Sequence, residues 1–112
     1  MSAILLSVFI TFRLDSIALD GNSLRGSLTY FYQPIRYIDF SNNRLNGTIP
    51  MEFFYPSTLN YVYLFGNMLS GTIPSSFASS LSLVDLFLDQ NNLTGTIPPI
   101  TLGSLSGISE YM

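Results

Sequence analysis

The 112-residue sequence predicts a solenoid, in which successive coils of the chain stack and each coil packs only against its neighbours. Two observations support this prediction. The pattern L-x-x-L-x-L-x-x-N-x-L-x-G-x-I-P fits the chain four times, with apolar residues interchanging at the L and I positions and the proline missing from the first copy. In addition, 47% of the residues are hydrophobic and only 10% are charged, as expected for a repeat with many fixed apolar positions and polar, uncharged turns.

Four asparagines align the repeats, and they are 21, 24 and 24 residues apart. They are Asn22, Asn43, Asn67 and Asn91. The four repeats span residues 14–98, and the first is three residues shorter than the second and third. Because the same positions match in every copy, the sequence predicts four structural units of one kind.

The first part of each repeat, L-x-x-L-x-L, alternates apolar and variable residues with a period of two, as a half-buried strand does. One strand from each coil is therefore predicted to join a parallel β-sheet on the concave face. The convex side of each coil is predicted to be irregular or to form short helical turns. Phe53 and Phe77 lie at the same offset after Ile49 and Ile73, and we expect both rings to fill the core there.

The aligned asparagines lie where the chain leaves the strand and turns inward. An inward amide can donate and accept hydrogen bonds with the turn backbone of adjacent coils. Backbone groups left unpaired in this place would cost roughly 1–3 kcal/mol each. We therefore expect a structural asparagine ladder, and not a ligand site, at Asn22, Asn43, Asn67 and Asn91.

Two further columns of similar residues follow each asparagine. Glycine recurs at Gly26, Gly47, Gly71 and Gly95, which suits a backbone bend or a close approach that a side chain would block. The next position carries Ser27, Thr48, Thr72 and Thr96. Regularly spaced hydroxyls can match an ordered lattice such as ice, but β-branched threonine also simply suits short strands, and the second interpretation is favoured.

With these motifs the chain resembles the leucine-rich repeat family, and its L-x-G-x-I-P tails resemble the plant-type class. The tails run from Leu45 to Pro50, from Leu69 to Pro74 and from Leu93 to Pro98. The resemblance implies a leucine-rich-repeat solenoid that acts as a non-catalytic recognition module without cofactors, as in the ectodomains of receptor-like kinases and receptor-like proteins. The alternatives are a secreted inhibitor of a wall-degrading enzyme and a lattice-binding or purely structural solenoid.

Two N-glycosylation sequons, Asn46-Gly-Thr48 and Asn92-Leu-Thr94, indicate a secretory route. The family resemblance implies the same extracellular or cell-surface location, because plant-type repeats are mostly found outside the cell. However, the sequence lacks the paired cysteines that commonly cap extracellular members. A cytoplasmic location therefore stays open at this stage.

The two ends of the chain give weaker signals. Residues 1–13 form an apolar segment that fits a partial repeat, an N-terminal cap or a signal-like sequence, and it is shorter than the roughly 20 residues of a membrane span. Residues 99–112 are expected to form a partial fifth repeat, with the convex-side spacing at Leu102, Leu105, Ile108 and Tyr111. We thus expect a truncated array that can self-associate through uncapped ends, and membrane attachment only through segments outside this chain.

The composition excludes several classes of function. The sequence has no Cys and no His, so it offers no thiol nucleophile, no imidazole base and no ordinary zinc site, and we expect no enzyme activity. Calcium binding by Asp39, Asp85 and Asp89 is conceivable from their oxygen ligands, and we do not expect it. With four basic residues, seven acidic residues and a net charge of -3, the chain also lacks the cationic surface that nucleic-acid binding needs.

Binding in a solenoid is expected at strand positions that point outward, because these are free of the core. Across the coils they form three columns: Ser16, Tyr37, Tyr61, Asp85; Ala18, Asp39, Tyr63, Phe87; and Asp20, Ser41, Phe65, Asp89. The candidate ligand-binding residues are Tyr37, Asp39, Tyr61, Tyr63, Phe65, Asp85, Phe87 and Asp89. Aromatic side chains among carboxylates favour a protein or peptide partner with basic character, or a glycan that stacks on the rings. Strand propensity also enriches aromatics, so a role as filler is the alternative.

Overall fold

The computed structural model describes residues 15–30, 34–97 and 107–108, and every structural statement below concerns these residues. The expectations for residues 1–13 lie outside them, as do those for 99–112 apart from 107–108. Among the described residues, no helix is long and apolar enough to cross a bilayer.

The predicted solenoid is confirmed, and in the described part of the chain short strands alternate with turns and two 3₁₀ helices. The strands are β1 (Ser16–Ala18), β2 (Arg25–Ser27), β3 (Tyr37–Asp39), β4 (Arg44–Thr48), β5 (Tyr61–Tyr63), β6 (Met68–Gly71), β7 (Asp85–Phe87), β8 (Asn92–Leu93) and β9 (Gly107–Ile108). The 3₁₀ helices span Met51–Phe54 and Ser75–Ser79. Each helix directly follows a proline, whose fixed φ ends the preceding extended segment.

The first sheet is the parallel sheet that the L-x-x-L-x-L pattern predicts, and its strand order is β1-β3-β5-β7-β9. Residues paired between coils occupy equivalent positions of the repeat, so that Tyr37 pairs with Tyr61 and Tyr61 with Asp85. One expectation was wrong. The spacing placed Ile108 on the convex side, but its backbone lies in β9 and pairs with Leu86 of β7.

A second parallel sheet, with the order β2-β4-β6-β8, is present beside the first and was not predicted. Its strands lie in or near the L-x-G-x-I part of each repeat, where the sequence predicts a glycine bend and a threonine column suited to short strands, but no second sheet. The pairing is shifted by two residues relative to the repeat: Arg25, three residues after its asparagine, pairs with Arg44, one residue after the next asparagine. The same shift pairs Asn46 with Met68.

Apolar side chains from both sheets and both 3₁₀ helices form one core. Its fully buried members include Leu24, Ile38, Phe40, Leu45, Val62, Leu64, Leu69, Leu86 and Leu88. On the convex side, Phe53 and Phe77 are buried, and Phe54 packs between them with ring centroids 5.5 and 6.2 Å away. Burial contributes roughly 1.5–3 kcal/mol for each such side chain, and much of that burial comes from neighbouring coils.

Asparagine amides join each coil to the one before it. Asn43 accepts a hydrogen bond from Leu24 N at 3.0 Å, and its Nδ2 donates to Leu19 O at 3.0 Å, both in the preceding coil. The same Nδ2 also donates to Phe40 O and Ser41 O within its own turn. These bonds pair four backbone groups, of which Ser41 O also accepts a hydrogen bond from Gly21 N of the preceding coil.

The pattern repeats in the next two coils. Asn67 accepts from Leu45 N at 3.0 Å and donates to Phe40 O at 2.9 Å, and Asn91 accepts from Leu69 N at 2.9 Å and donates to Leu64 O at 2.9 Å. Asn22 differs, because it is exposed and the bonds described for its side chain go to Leu19 O and Asp20 O of its own turn.

The bond from Leu24 N to Asn43 fixes the shift of the second sheet. Leu24 lies two residues after its own asparagine, so this bond places it beside the asparagine of the next coil. A shift by two keeps each side chain on the same side of the sheet, because side chains alternate with a period of two. The apolar leucines therefore stay buried while Arg25 and Arg44 both stay exposed.

The recurring glycines are needed for two reasons. Gly71 has a φ of 78°, which favours glycine, and a Cβ added there would lie 2.8 Å from Thr48 Cγ2 of the preceding coil. A Cβ at Gly95 would lie 3.1 Å from Thr72 Cγ2. The threonine methyls thus pack directly on the glycine backbone of the next coil.

Replacing Asn67 by Ala should lower the free energy of unfolding by on the order of 2–4 kcal/mol, because the buried Leu45 N loses its partner and Phe40 O and Leu64 O each lose one of two asparagine donors. Asn22→Ala is the matched control, since its bonds are local and exposed, and it should cost about 1 kcal/mol or less. Urea denaturation of both variants measures the difference. Equal losses in the two variants would contradict the role assigned to the cross-coil bonds.

Gly71→Ala should destabilise the protein through both backbone strain and steric overlap with Thr48. Gly21→Ala isolates the strain, because Gly21 also has a positive φ, of 67°, but a Cβ there meets nothing within 4 Å. We expect roughly 1–2 kcal/mol for Gly21→Ala from strain alone, and about 1–2 kcal/mol more for Gly71→Ala.

Thr48→Ser removes the methyl that Ala at position 71 would meet. In a double-mutant cycle of unfolding free energies it should therefore relieve much of the additional loss in Gly71→Ala. An additive result would show that the Cγ2 contact is not the cause.

Candidate functional site

The outward side chains of the first sheet form a face rich in aromatic residues and carboxylates. This aromatic face consists of Tyr37, Asp39, Tyr61, Tyr63, Phe65, Asp85, Phe87 and Asp89. Strand pairing aligns the members of two of the expected columns, since Tyr37 pairs with Tyr61 in one and Asp39 pairs with Tyr63 in the other. The alternation of the strands turns Ile38 and Val62, between them, into the core.

The third column lies just beyond the strands and is aligned by backbone hydrogen bonds. Asn42 N donates to Phe65 O at 2.9 Å, and Gly66 N donates to Asp89 O at 3.1 Å. Phe65 and Asp89 are both partly buried at this edge of the face. The structure thus places six of the eight candidate residues on the strands of the first sheet, and Phe65 and Asp89 just beyond them.

Four of the five rings form a continuous series of contacts. Tyr37 lies 6.3 Å from Tyr61 and 5.6 Å from Tyr63 between ring centroids, the second pair in an edge-to-face arrangement. Tyr63 in turn lies 5.0 Å from Phe87. Such pairs contribute about 0.5–1.5 kcal/mol beyond burial, so they hold the rings in fixed positions. The result is a preorganised aromatic surface across three coils.

Carboxylates of the face hold the tyrosine hydroxyls. The Tyr37 hydroxyl donates to Asp39 Oδ2 at 3.4 Å, and the Tyr63 hydroxyl donates to Asp85 Oδ2 at 3.3 Å. Asp39 Oδ1 accepts two further bonds, from Ser41 N at 3.0 Å and Ser41 Oγ at 2.6 Å. Ser41 was expected to point outward, but it is only 2% exposed because it is folded against Asp39.

The same arrangement raises the pKa of two tyrosines. Partial burial is the largest cause of the raised pKa of Tyr37, followed by the charge of Asp39 and its hydrogen bond to the phenol. The pKa of Tyr63 is raised by partial burial and then by Asp85 in the same two ways. The neutral phenol is therefore the favoured form of both residues.

The described residues hold no group of three or more His, Cys, Asp or Glu side chains that is arranged to bind a metal ion.

Tyr61 is the most open ring of the aromatic face, with 38% of its surface exposed. What the face offers chemically is therefore flat apolar area, phenolic hydroxyls and negative charge.

The sequon asparagines lie on the second sheet, and the hydroxyl column lies on its strands or beyond their ends. Asn46 and Asn92, the sequon asparagines, are both exposed, on β4 and β8. Ser27, Thr48, Thr72 and Thr96 are exposed too, with methyl groups of Thr48 and Thr72 turned toward glycines of the following coil. This packing gives the threonine column a structural role.

Sequence reasoning missed one feature, an open depression of about 480 Å³ on the second sheet. It is lined by Arg25, Asn43, Arg44, Asn46 and Met68. Arg25 and Arg44 occupy different positions of the repeat, so a sequence alignment of the coils does not place them together. Their proximity follows from the two-residue shift of the second sheet.

A family model described as Leucine Rich Repeat matches residues 34–55, 58–80 and 82–105, which is more than half of the chain. A search of curated proteins gives no match. The solved structures that resemble this chain include three from plant receptor systems.

The LRR ectodomain of the receptor kinase SOBIR1 from Arabidopsis thaliana is 26% identical, with a TM-score of 0.70, over 85% of this chain and 54% of that one. Pollen Receptor Kinase 3 is 34% identical, with a TM-score of 0.72, over 85% and 47%. The BIR3–SERK2 complex from Arabidopsis thaliana matches with 33% identity and a TM-score of 0.65, over 82% and 53%. The present chain thus spans about half the length of these structures.

Unfolding free energy should fall at alkaline pH. A tyrosine whose pKa is higher in the folded state contributes stability that is complete below its unfolded pKa of about 10, and this stability is lost as the pH rises through the folded pKa. Urea denaturation at increasing pH measures the slope. Tyr37→Phe/Tyr63→Phe removes both phenols, so the slope should be shallower in that variant. An unchanged slope would contradict the assignment.

Proposed function

Because this chain belongs to the leucine-rich repeat family and carries plant-type repeats, we propose that it is a non-catalytic recognition module that binds a protein or peptide through the aromatic face. The observation on which the proposal rests is the continuous series of ring contacts from Tyr61 through Tyr37 and Tyr63 to Phe87. Rings held in place by each other and by carboxylates lose little entropy when a partner docks.

The charge of the face indicates the character of the partner. Every charged residue in its three columns is acidic, from Asp20 in the first coil to Asp89 in the fourth. A partner with Lys or Arg would meet carboxylates at the rim and ring faces at the centre, and both attract a cation. We therefore propose a basic protein segment or peptide as the ligand.

The structural neighbours support a role of this kind. One of them is a complex of two named proteins, BIR3 and SERK2, and others are receptor kinases. In this context the chain would act as part of a receptor-like ectodomain, in which several coils present one continuous binding surface.

We also propose an extracellular or cell-surface location, supported by the same neighbours and by the exposure of Asn46 and Asn92 in their sequons. Glycans at these positions would project from the second sheet and leave the aromatic face open. Protein secreted from plant cells should lose mass on enzymatic deglycosylation, and an unchanged mass would contradict this part of the proposal.

The binding proposal is tested by selecting ligands from a library of short random peptides displayed on phage. The selected peptides should be enriched in Lys and Arg. Against one such peptide, synthesised with a fluorophore, Tyr61→Ala/Tyr63→Ala should weaken binding by about 30-fold or more, because central aromatic contacts dominate interfaces of this type. Fluorescence anisotropy gives the dissociation constants.

Tyr55→Ala is the matched control, since Tyr55 is an exposed tyrosine that follows the 3₁₀ helix on the convex side. It should leave the affinity unchanged, and circular dichroism should show that both variants fold. Selected peptides that bind the double variant as well as the parent protein would overturn the proposal. Selection of acidic or neutral peptides would overturn the expected basic character.

A further inference from the structure

The depression on the second sheet has a chemistry opposite to that of the aromatic face. Two of its five lining residues, Arg25 and Arg44, are cationic, and none is acidic. The two arginines are direct register partners on β2 and β4, and both are exposed on the same side of the sheet. Like charges placed opposite each other on neighbouring strands repel, so the pair concentrates positive potential at this point.

No carboxylate among the described residues lies within 4.0 Å of either guanidinium, in contrast to a third arginine. Arg36 Nε lies 3.8 Å from Asp15 Oδ1, so that arginine has an acidic partner. The depression therefore offers two neighbouring guanidinium groups, and each can bind a carboxylate with two parallel hydrogen bonds.

The remaining walls define what else a ligand must carry. Asn43 uses its amide in the ladder, so its side chain shapes the floor and has little hydrogen-bonding capacity left. Asn46 is exposed and offers an amide, while Met68 is 52% exposed and offers an adaptable apolar surface. The arrangement suits a ligand with a carboxylate and an adjoining apolar group.

The depression would be left mostly unfilled by a bare oxyanion. Its volume of about 480 Å³ lies within the range of roughly 300–1,000 Å³ that is usual for sites of organic ligands. An acidic side chain with its flanking residues fits this volume, and it would place carboxylates on the arginines and an apolar neighbour on Met68.

We propose that this depression is a second docking site, which binds an acidic segment of a protein or peptide through Arg25, Arg44 and Met68. The site goes beyond the aromatic face, because it lies on the other sheet and selects the opposite charge. A glycan on Asn46 would cover the depression, so the acidic segment binds the chain that is unmodified at Asn46. On that chain, a partner with a basic segment for one sheet and an acidic segment for the other would engage both.

The test uses the full chain produced in bacteria, so that no glycan occupies Asn46, and two labelled probes. One is a peptide with Glu-Leu-Glu between Gly-Ser flanks, and the other has Gln-Leu-Gln in the same frame. Fluorescence anisotropy should detect saturable binding of the first peptide alone, and its affinity should fall as salt is added. Arg25→Gln and Arg44→Gln should each weaken this binding by about three- to tenfold.

Two controls separate a specific site from general charge. Arg36→Gln removes an equal charge elsewhere and should leave the affinity unchanged, whereas Arg44→Lys keeps the charge and should retain part of the binding. Met68→Ser should weaken the binding of the Glu-Leu-Glu peptide but not that of a Glu-Ser-Glu peptide. Circular dichroism should show that each variant folds.

Several results would overturn the proposal. One is a loss of affinity in Arg36→Gln as large as that in the Arg25 and Arg44 variants. Others are unchanged affinity in the Arg25 and Arg44 variants and absence of binding by the Glu-Leu-Glu peptide. Competition by an acidic oligosaccharide or by inorganic phosphate at lower concentration than the unlabelled peptide would also overturn it, since the site would then select another ligand.

Discussion

The structure depends on one recurring interaction, the bridge that each inward asparagine makes to the preceding coil. The carboxamide of Asn43 reaches Leu24 N and Leu19 O, and that of Asn67 reaches Leu45 N and Phe40 O. Most of these groups lie between the two sheets, and Leu45 N lies at the start of β4. A side chain with both a donor and an acceptor at its tip can pair them all, and asparagine has the length to do so. Hydrophobic burial supplies most of the favourable free energy, but the amides determine how one coil sits on the next.

The second sheet follows from that bridge. Because the asparagine oxygen takes the N–H of a leucine two residues beyond the previous asparagine, the following strands pair with a shift of two. The shift brings Gly26 opposite Leu45 and Gly47 opposite Leu69, so that a residue without a side chain adjoins a buried leucine in each pair. The close packing of Thr48 on Gly71 belongs to the same arrangement. The asparagine, glycine and threonine columns of the sequence thus pack together in one arrangement that recurs between coils.

The two sheets also give the molecule two chemically different surfaces. Few residues are charged. The charged residues in the three outward columns of the first sheet are all aspartates, whereas the depression on the second sheet carries Arg25 and Arg44. Arg36 lies just before β3 and pairs with Asp15. Each surface is built across several coils, so neither exists in a single repeat. A solenoid can present both at once because the core lies between the strands and constrains only the inward side chains. Recognition by opposite charges on two sides would favour an extended partner in one orientation.

The sequence by itself determined the repeat, the solenoid and the composition of the aromatic face. It could do so because strand periodicity assigns each residue to the core or to solvent, and because equivalent residues of the first sheet pair with one another. Only the tertiary structure decided the second sheet, the covered position of Ser41 and the pairing of Arg25 with Arg44. The second sheet and the arginine pairing depend on hydrogen bonds between coils, which set the register in three dimensions. Ser41 is covered through its own bonds to Asp39 in the same coil. In the first sheet, residues at equivalent positions of the repeat are neighbours, as an alignment of the repeats implies. In the second sheet, the asparagine bridge instead makes neighbours of residues whose repeat positions differ by two.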